Sequence, residues 1–296
     1  MENNYKASLV IPAYEEESGI NNVLIELVNL KKNKPFIDEI IVVDDGSIDK
    51  TAEIVRLYSE FKLIQHSHNR GYGASLKTGI ENAKNGIITI IDADCTYPVD
   101  KIPNLISQLV ENDLDMVVGA RTGGNIKHPF VRRPGKWVIG KFANWVTQQQ
   151  IPDINSGLRV FKKSSFIPFQ YIVPEGYSFT TTITLGMLLG GYKVKFIPID
   201  YFKRSGKSKI KPIQDTLNFI KLIFKIGIYF KPLKIFMPIS IVLILTAIAW
   251  GVFTKVVLGN LADVSALIII LAGFQVAMLA LIAELINHRL PNKYMK

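Results

Sequence analysis

Over its first 120 residues the chain alternates short apolar runs with stretches in which apolar residues recur every three or four positions. These two patterns indicate β-strands and amphipathic α-helices. Strict succession of strand and helix predicts an α/β domain with a parallel sheet that is covered by helices on both faces. The predicted strands are ASLVIPAY (7–14), DEIIVVDDGS (38–47), KLIQHS (62–67), GIITIIDAD (86–94) and LDMVVGAR (114–121), and the predicted helices are 19–30, 50–61, 73–84 and 99–112.

Polar clusters follow three of these strands. Tyr14 and Glu15 come after the first strand, DDGS (44–47) after the second, and DAD (92–94) after the fourth. One such cluster could simply cap the next helix. Three clusters at the carboxyl ends of parallel strands predict a ligand site, because open α/β sheets bind ligands at that edge, near a topological switch point.

The pair Asp92 and Asp94 is the strongest candidate for metal binding. Residues i and i+2 of a strand point the same way, so both carboxylates face one spot if the extended geometry persists. Mg²⁺ and Mn²⁺ prefer oxygen ligands and commonly take one or two carboxylates together with substrate phosphates. The alternative is a solvated turn at the strand end, which Pro98 would favour.

The C-terminal third has a different pattern. Residues 212–232 form a helical Ile/Leu/Phe pattern with Asn218, Lys221 and Lys225 on one face, which is typical of a helix in a membrane interface. Residues 236–254 carry no charge, and neither do residues 264–283. Both are long enough to cross a bilayer at about 20 residues per span. A buried core hairpin is the alternative.

The net charge of +10 belongs to this C-terminal third. Residues 1–200 contain 22 Lys+Arg and 22 Asp+Glu, whereas residues 201–296 contain 13 and 3. A basic block beside apolar spans indicates an anionic membrane surface rather than nucleic acid, and no aromatic-basic pattern of a nucleic-acid module is present. Lysines and Arg289 flank the two spans and the connection between the spans is short, so the positive-inside rule predicts cytosolic ends.

The cysteine count and the N-terminus also indicate the cytosol. The one cysteine, Cys95, excludes an intrachain disulfide. The first 18 residues contain no basic region followed by a long apolar run, so we expect no signal peptide and a cytosolic first domain.

Other known patterns match poorly. GYGASLKTG lacks the glycine that a P-loop needs directly before its lysine, and no G-x-G-x-x-G follows the first strand. His66 and His68 predict a surface pair at a strand end rather than a zinc site. DADCT also fits the D-x-D-x-T signature of haloacid-dehalogenase-like phosphatases, which normally opens its domain, whereas three strand-helix units precede it here.

Five motifs together resemble glycosyltransferase family 2 of the GT-A fold. They are IPAYEEE, VVDDGSIDKT, NRGYGASLKTGI, IDADCTYP and INSGLRVFKK, in this order. The two C-terminal spans and RSGKSKI are similar to those of the polyprenyl-phosphate glycosyltransferases, which include dolichol-phosphate mannose synthases and bacterial undecaprenyl-phosphate glucosyltransferases. This resemblance implies a GT-A fold with a Rossmann-like, mostly parallel α/β sheet and helices on both faces. It also implies transfer of a hexose from a UDP- or GDP-sugar.

The resemblance also implies roles for individual residues. Asp92 and Asp94 would hold Mg²⁺ or Mn²⁺, with Asp94 nearest the ion, and Thr96 stands where some of these enzymes have Gln. Asp92, Asp94, Arg121 and Asp153 are the catalytic candidates. Asp153 stands where family members with hydroxyl acceptors have a catalytic carboxylate, and here it would orient the sugar or an arginine, or anchor the structure. The nucleotide pocket would include Pro12, Tyr14, Glu15, Asp44, Asp45, Gly71, Lys77, Asp92 and Ala93. Donor and acceptor phosphates would be bound by Arg121, Arg132, Arg133, Arg204, Ser205, Lys207 and Lys209. The alternative for Arg132, Arg133 and the KRSGKSK cluster is attraction to the membrane surface, and both roles can hold together.

The sequence therefore predicts a metal-dependent, inverting hexosyltransferase that acts on a polyprenyl phosphate. We expect a cytosolic catalytic domain (1–205), a basic interfacial segment (206–234) and two transmembrane helices in 235–296, about 236–254 and 264–286, in a plasma or ER-type membrane. The spans could associate with further copies of the chain or be covered by lipid. A membrane-bound phosphatase and a non-catalytic anchor that binds sugar nucleotides are the alternatives.

Overall fold

The structure is a computed structural model that describes residues 5–123, 133–176, 178–202, 212–259 and 263–289. The side chains at 133–139, 212–220, 258, 263 and 287–289 also lie outside this description. The chain divides into two compact units, Met1–Ile220 and Lys221–Lys296.

The first unit is built on a seven-stranded mixed sheet with the strand order β3-β2-β1-β4-β6-β5-β7. Strand β6 runs antiparallel to both of its neighbours, β4 and β5, and the other pairings are parallel. The strands are β1 (Ala7–Ala13), β2 (Ile37–Asp44), β3 (Lys62–Gln65), β4 (Ile87–Ile90), β5 (Met116–Ala120), β6 (Arg159–Lys162) and β7 (Val194–Pro198).

Helices cover both faces of this sheet, as predicted. Helices α1 and α4 pack on one face, in a core with Leu9 and Val42. Helix α3 packs on the other face, where Gly79 lies against Val10. The helices of the first unit are α1 (Ile20–Asn33), α2 (Thr51–Arg56), α3 (Tyr72–Asn82), α4 (Ile102–Glu111), α5 (Arg133–Thr147), the one-turn α6 (Lys163–Phe166) and α7 (Phe179–Leu189). The next helix, α8 (Pro212–Phe230), contains the boundary between the two units.

Chain order places the topological switch point at β1. The chain forms β1, β2 and β3 on one side and then crosses to β4 on the other side of β1. The carboxyl ends of β2, β1 and β4 are therefore adjacent, and these are the three strands that the polar clusters follow.

The second unit contains the helix pair α9 (Pro232–Leu258) and α10 (Asp263–Arg289). Helix α9 ends at Leu258 and is followed by Gly259, whose φ of 71° is the left-handed conformation common after helices. Gly273 lets the helices approach closely, and Ser240 Oγ donates to its carbonyl oxygen at 2.8 Å. Both helices are long and apolar enough to cross a membrane, and only 17% of the most apolar window of each is buried, unlike a core hairpin.

Candidate active site

The loops after β1, β2 and β4 meet at one edge of the sheet, as the sequence predicted. The backbone N–H of Glu15 donates to Ser47 Oγ at 2.9 Å, and that of Asp45 donates to Ala13 O at 2.8 Å. A Cβ atom on Gly19 would lie 3.4 Å from Ala93 O, so the first and third loops are also in contact. The three predicted clusters therefore lie together at this edge of the sheet.

The residues predicted for the nucleotide pocket differ in exposure. Pro12 is buried in β1, beyond the last residue that pairs with β4, where its missing N–H removes no hydrogen bond from that pairing. Tyr14 and Lys77 are half-buried, and Ala93 is buried. Glu15 is exposed and has a φ of 53°, which is uncommon for a non-glycine residue.

Asp44 is fully buried, and both of its carboxylate oxygens accept hydrogen bonds from within the chain. Oδ1 accepts from the backbone N–H of Ser47 at 3.3 Å, and Oδ2 accepts from Gln65 Nε2 at 3.1 Å. These bonds tie the loop after β2 to the end of β3. They show how the carboxylate orients that loop.

Asp45 holds the loop that leads into α3. Its carboxylate accepts hydrogen bonds from the backbone N–H of Arg70 at 3.0 Å and of Gly71 at 2.7 Å. His66 Nδ1 lies 2.7 Å from Asp45 Oδ1, and His66 Nε2 lies 3.0 Å from Thr78 Oγ1. The prediction of a surface pair is wrong for His66, whose side chain is only 6% exposed, because it bridges two elements.

Asp92 and Asp94 lie beyond the end of β4, since the strand stops at Ile90. Asp92 Oδ1 accepts a hydrogen bond from the hydroxyl of Tyr72 at 2.8 Å. Asp94 Oδ1 accepts from the backbone N–H of Thr96 at 3.2 Å and from its hydroxyl at 2.5 Å. Burial and the neighbouring Asp92 raise the pKa of Tyr72 well above its usual value, so its phenol stays a donor.

The acidic motif fits a metal ion that binds together with a phosphate ligand. Among the described residues, no cluster of three or more His, Cys, Asp and Glu side chains could hold an ion by itself. Asp92 and Asp94 supply two carboxylates, and Thr96 orients one of them. Two carboxylates, with the remaining positions taken by phosphate and water, suit Mg²⁺ or Mn²⁺.

Arg121 and Asp153 form a buried, two-pronged ion pair. Arg121 Nε and Nη2 donate to the two oxygens of Asp153 at 2.6 and 2.9 Å, and the backbone N–H of Arg121 adds a third bond at 3.0 Å. The guanidinium lies 5.1 Å from the ring centroid of Tyr201. Burial opposes the charge of Asp153, but the hydrogen bonds of Arg121 hold its pKa below the usual range. Asp153 thus orients an arginine, one of the arrangements that the resemblance implied.

A second set of polar groups lies behind this pair and was missed by the sequence reasoning. Tyr97 Oη accepts the backbone N–H of Gly157 at 2.6 Å, and burial raises the pKa of this phenol. Arg159 is fully buried at the start of β6. An arginine inside the run SGLRVF could have indicated a buried charge, because it is flanked by residues of a core strand.

The remaining predicted residues lie outside the described part of the chain. They are Arg132, Arg204, Ser205, Lys207 and Lys209, together with the side chain of Arg133, the first residue of α5.

Comparison with protein families gives two matches. Residues 8–168 match "Glycosyl transferase family 2", and residues 231–288 match "GtrB C-terminal hairpin". The first match covers more than half of the chain and all of the strand-end clusters. The second covers α9 and nearly all of α10, which indicates a membrane-associated protein.

Curated relatives include three sugar transferases. The chain is 26% identical to the dolichyl-phosphate hexose transferase of Haloferax volcanii, over 74% of this chain and 92% of the relative. It is 24% identical to the dodecaprenyl-phosphate galacturonate synthase of Rhizobium johnstonii, over 94% and 87%. It is 27% identical to the low-salt glycan biosynthesis hexosyltransferase Agl6 of H. volcanii, over 72% of this chain but only 52% of that longer protein.

Among solved structures, the glucosyl-3-phosphoglycerate synthase of Mycobacterium tuberculosis has a similar fold. The crystal structure of its complex with Mn²⁺, UDP and phosphoglyceric acid matches with a TM-score of 0.60 at 18% identity, over 76% of this chain and 79% of that one. This likeness supports a GT-A-like fold for the first unit.

Proposed function

We propose that this chain, which belongs to glycosyl transferase family 2, transfers a hexose from a UDP- or GDP-sugar to a polyprenyl phosphate. The observation that carries the proposal is the presence, in one chain, of a family 2 domain and a GtrB hairpin. The relatives named for dolichyl- and dodecaprenyl-phosphate sugar transfer support the same reaction class. The proposed product is a lipid-linked monosaccharide for glycan assembly or modification.

The donor would bind at the edge formed by the loops after β1, β2 and β4. Pro12, Tyr14, Glu15 and Lys77 are the residues we propose to line the nucleotide pocket. Asp44 and Asp45 are buried and already accept hydrogen bonds from neighbouring loops. We therefore assign these two carboxylates to shaping the pocket, through the loops at Ser47 and Gly71.

Asp92 and Asp94 are the proposed holders of a divalent ion, Mg²⁺ or Mn²⁺. When bound, such an ion neutralises the charge that develops on the leaving diphosphate. The chain's own contribution is orientation: the Tyr72 hydroxyl fixes Asp92, and Thr96 fixes Asp94. Ala93 places its backbone between these two side chains and against Gly19.

The acceptor would need positioning rather than a strong base. A phosphate monoester is ionised at neutral pH, so one of its oxygens can attack the anomeric carbon directly. The bond from that carbon to the nucleoside diphosphate breaks on the opposite side, which inverts the configuration. Arg121, held by Asp153 and Tyr201, is the proposed phosphate contact among the described residues. Arg132, Arg133, Arg204, Ser205, Lys207 and Lys209 remain candidates from the sequence.

The membrane part would bring the lipid acceptor to the enzyme. We propose that α9 and α10 span a plasma or ER-type membrane, that α8 lies at its surface, and that the catalytic domain and both ends face the cytosol. The uneven charge supports this orientation, since lysines and Arg289 flank the two spans. Self-association through the hairpin would bury part of its exposed apolar surface.

A radiolabel assay with membranes that contain the chain tests this function. The membranes receive undecaprenyl or dolichyl phosphate, Mn²⁺ or Mg²⁺, and a series of labelled UDP- and GDP-sugars, and the label entering the organic phase is counted. We expect one donor to give lipid-linked label that chelator removes. Asp94→Asn should abolish the transfer while the variant still folds and enters the membrane, and normal turnover by this variant would contradict the metal assignment.

The two alternatives give other results in the same assay. A non-catalytic anchor would bind nucleotide without labelling any lipid. A phosphatase with Asp92 as nucleophile would release inorganic phosphate. The match to family 2 favours the transferase over both.

A further inference from the structure

Arg159 carries a positive charge into the centre of the first unit. It is fully buried in β6, between β4 and β5. Its Nε donates to Ser156 O at 3.1 Å, and its Nη2 donates to the same oxygen. Its Nη1 donates to Thr180 O at 3.0 Å and to Thr184 Oγ1 at 2.9 Å. Within the described part of the chain, its hydrogen bonds therefore end on neutral oxygens.

The two bonds to Ser156 fix the peptide that precedes Gly157. The Ser156 hydroxyl is fixed as well, because it donates to Gly119 O. Gly157 in turn donates its N–H to Tyr97 Oη at 2.6 Å. Arg159 thus holds the carbonyl of the Ser156–Gly157 peptide, and Tyr97 holds its N–H.

Gly157 lies directly against the acidic motif. A Cβ atom at this position would be 2.2 Å from Asp92 Oδ2 and 2.6 Å from Asp92 Cγ. The position of the Asp92 carboxylate therefore depends on where the Ser156–Gly157 peptide is held. Asp153, which pairs with Arg121, lies three residues before Ser156 in the same loop.

Helix α7 also contacts the loop that contains Ser156 and Gly157, and it binds Arg159. It is apolar apart from its threonines, of which Thr180, Thr181, Thr182 and Thr184 are all buried. Thr180 and Thr184 bind Arg159, and the Thr181 hydroxyl donates to Asn155 Oδ1. The helix therefore contacts residues on both sides of the Ser156–Gly157 peptide, namely Asn155 and Arg159.

Burying an unpaired charge is expensive, so a buried arginine needs compensation from its surroundings. Burial lowers the pKa of Arg159 to about 10, which still leaves the group charged at neutral pH. The carboxylates of Asp92 and Asp153 lie near enough to favour its charge.

We propose that Arg159 is a positioning residue of the transfer site, which holds the Ser156–Gly157 peptide against Asp92 and so places the carboxylate that binds the metal–diphosphate group. This inference rests on the proposed function. It assigns Arg159 to donor binding and turnover, in addition to folding.

The test compares Arg159→Met and Arg159→Lys with the wild-type chain in detergent. Thr182→Val is the matched control, because Thr182 is buried in the same helix but its hydroxyl donates to Ser178 O, whereas Thr180 and Thr184 accept hydrogen bonds from Arg159. Mn²⁺ binding is measured by electron paramagnetic resonance in the presence of UDP and, separately, GDP. Thermal unfolding, kcat and KM for lipid phosphate are measured on the same samples.

We expect Arg159→Met to weaken Mn²⁺ binding with nucleotide and to lower kcat, each by about 10- to 100-fold, with a smaller change in KM for the lipid. Lysine should restore part of both, since it keeps the charge and can donate to Ser156 O. Thr182→Val should match the wild type in Mn²⁺ binding and kcat. If Arg159→Met fails to fold, Gly157→Ala tests the contact between the Ser156–Gly157 peptide and Asp92, and it should give the same losses in Mn²⁺ binding and kcat.

The opposite result is a variant that unfolds at lower temperature but, when folded, binds Mn²⁺–nucleotide and turns over like the wild type. That result would make Arg159 purely structural and overturn the inference. A wild-type chain that binds Mn²⁺–nucleotide but forms no lipid-linked sugar would overturn the proposed function alone. A wild-type chain that binds no Mn²⁺–nucleotide would overturn both.

Discussion

At the scale of single residues, the ion pair of Arg121 and Asp153 contributes to the stability of the fold and orients the arginine that we propose to contact phosphate. Asp153 takes two donors of the guanidinium and the backbone N–H of Arg121, and both side chains are mostly buried. Such a pair fixes the direction of the guanidinium. The Nη1 group, which makes no bond to Asp153, is the part of Arg121 that could meet a phosphate.

Replacing Asp153 by Asn should destabilise the protein and make it less sensitive to acid. Removing one member of a buried pair leaves the other charge without compensation, which typically costs about 3 kcal/mol. The folded-state pKa of Asp153 is lowered, so its contribution is complete above the unfolded value of about 4 and is lost as the pH falls through the folded value. Unfolding in detergent across this pH range measures both effects.

Asp113→Asn is the matched control for that experiment. Asp113 also pairs with lysines, Lys162 and Lys193, but its side chain is 78% exposed. We expect the control to change the free energy of unfolding very little, because exposed pairs contribute little. An equal loss in both variants, or an unchanged acid response in Asp153→Asn, would contradict the account of the buried pair.

Residue identities at the strand ends could be predicted from the sequence, but many of their contacts could not. Asp92 and Asp94 were identifiable because they follow an apolar strand. Their hydrogen bonds with Tyr72 and Thr96 depend on the conformation of the loops. Cys95, which lies between Asp94 and Thr96, has a φ of 59°, a conformation that the apolar pattern does not predict. Arg159 went unnoticed because its bonds join β6 to α7, two elements that the apolar pattern alone did not identify.

At the scale of elements, the start of α3 is held between two loops. Asp45 accepts the N–H of Gly71 from one side, and Glu175 O accepts the N–H of Ala74 at 2.9 Å from the other. This places Tyr72, the first residue of α3, where its hydroxyl reaches Asp92. The segment at 174–175 therefore helps to position the acidic motif.

Gly73→Ala should disrupt this arrangement. Its Cβ would lie 2.2 Å from Pro174 O and 2.9 Å from the backbone of Glu175, and backbone atoms cannot move aside easily. We expect a loss of about 1–3 kcal/mol in unfolding free energy, together with lower transfer activity. Gly86→Ala is the control, because nothing lies within 4 Å of its added Cβ. Equal free energies of unfolding of the two variants would show that the backbone at 174–175 moves to accommodate the added Cβ, which would contradict this prediction.

The periodic elements were predicted well because burial of one face sets their pattern. The five predicted strands and four predicted helices of the first 120 residues all exist, although α2 ends at Arg56 rather than near residue 61. Strand β4 ends at Ile90, so the alternation argument does not reach Asp92 and Asp94. The antiparallel β6 was not predicted, because pairing direction depends on the path of the chain and not on local periodicity.

At the scale of the whole molecule, the proposed topology places the connection between α9 and α10 outside the cytosol. The test labels introduced cysteines, which is simple because the chain has one native cysteine to replace. In a Cys95→Ser background, Lys255→Cys near the end of α9 should react with a membrane-impermeant maleimide on intact cells. Lys6→Cys, an exposed position at the start of the catalytic domain, should react only after the cells are opened. The reverse pattern would contradict the proposed orientation.

The most direct test of the central claim is the balance of products from the purified chain with one labelled sugar nucleotide, Mn²⁺ and a polyprenyl phosphate of defined length. Mass spectrometry identifies the lipid product, and the released nucleoside diphosphate is quantified in the same reaction. We predict lipid phosphate carrying one hexose and an equal amount of nucleoside diphosphate, both absent with Asp94→Asn. Nucleoside diphosphate with free sugar, or inorganic phosphate without glycosylated lipid, would contradict the account.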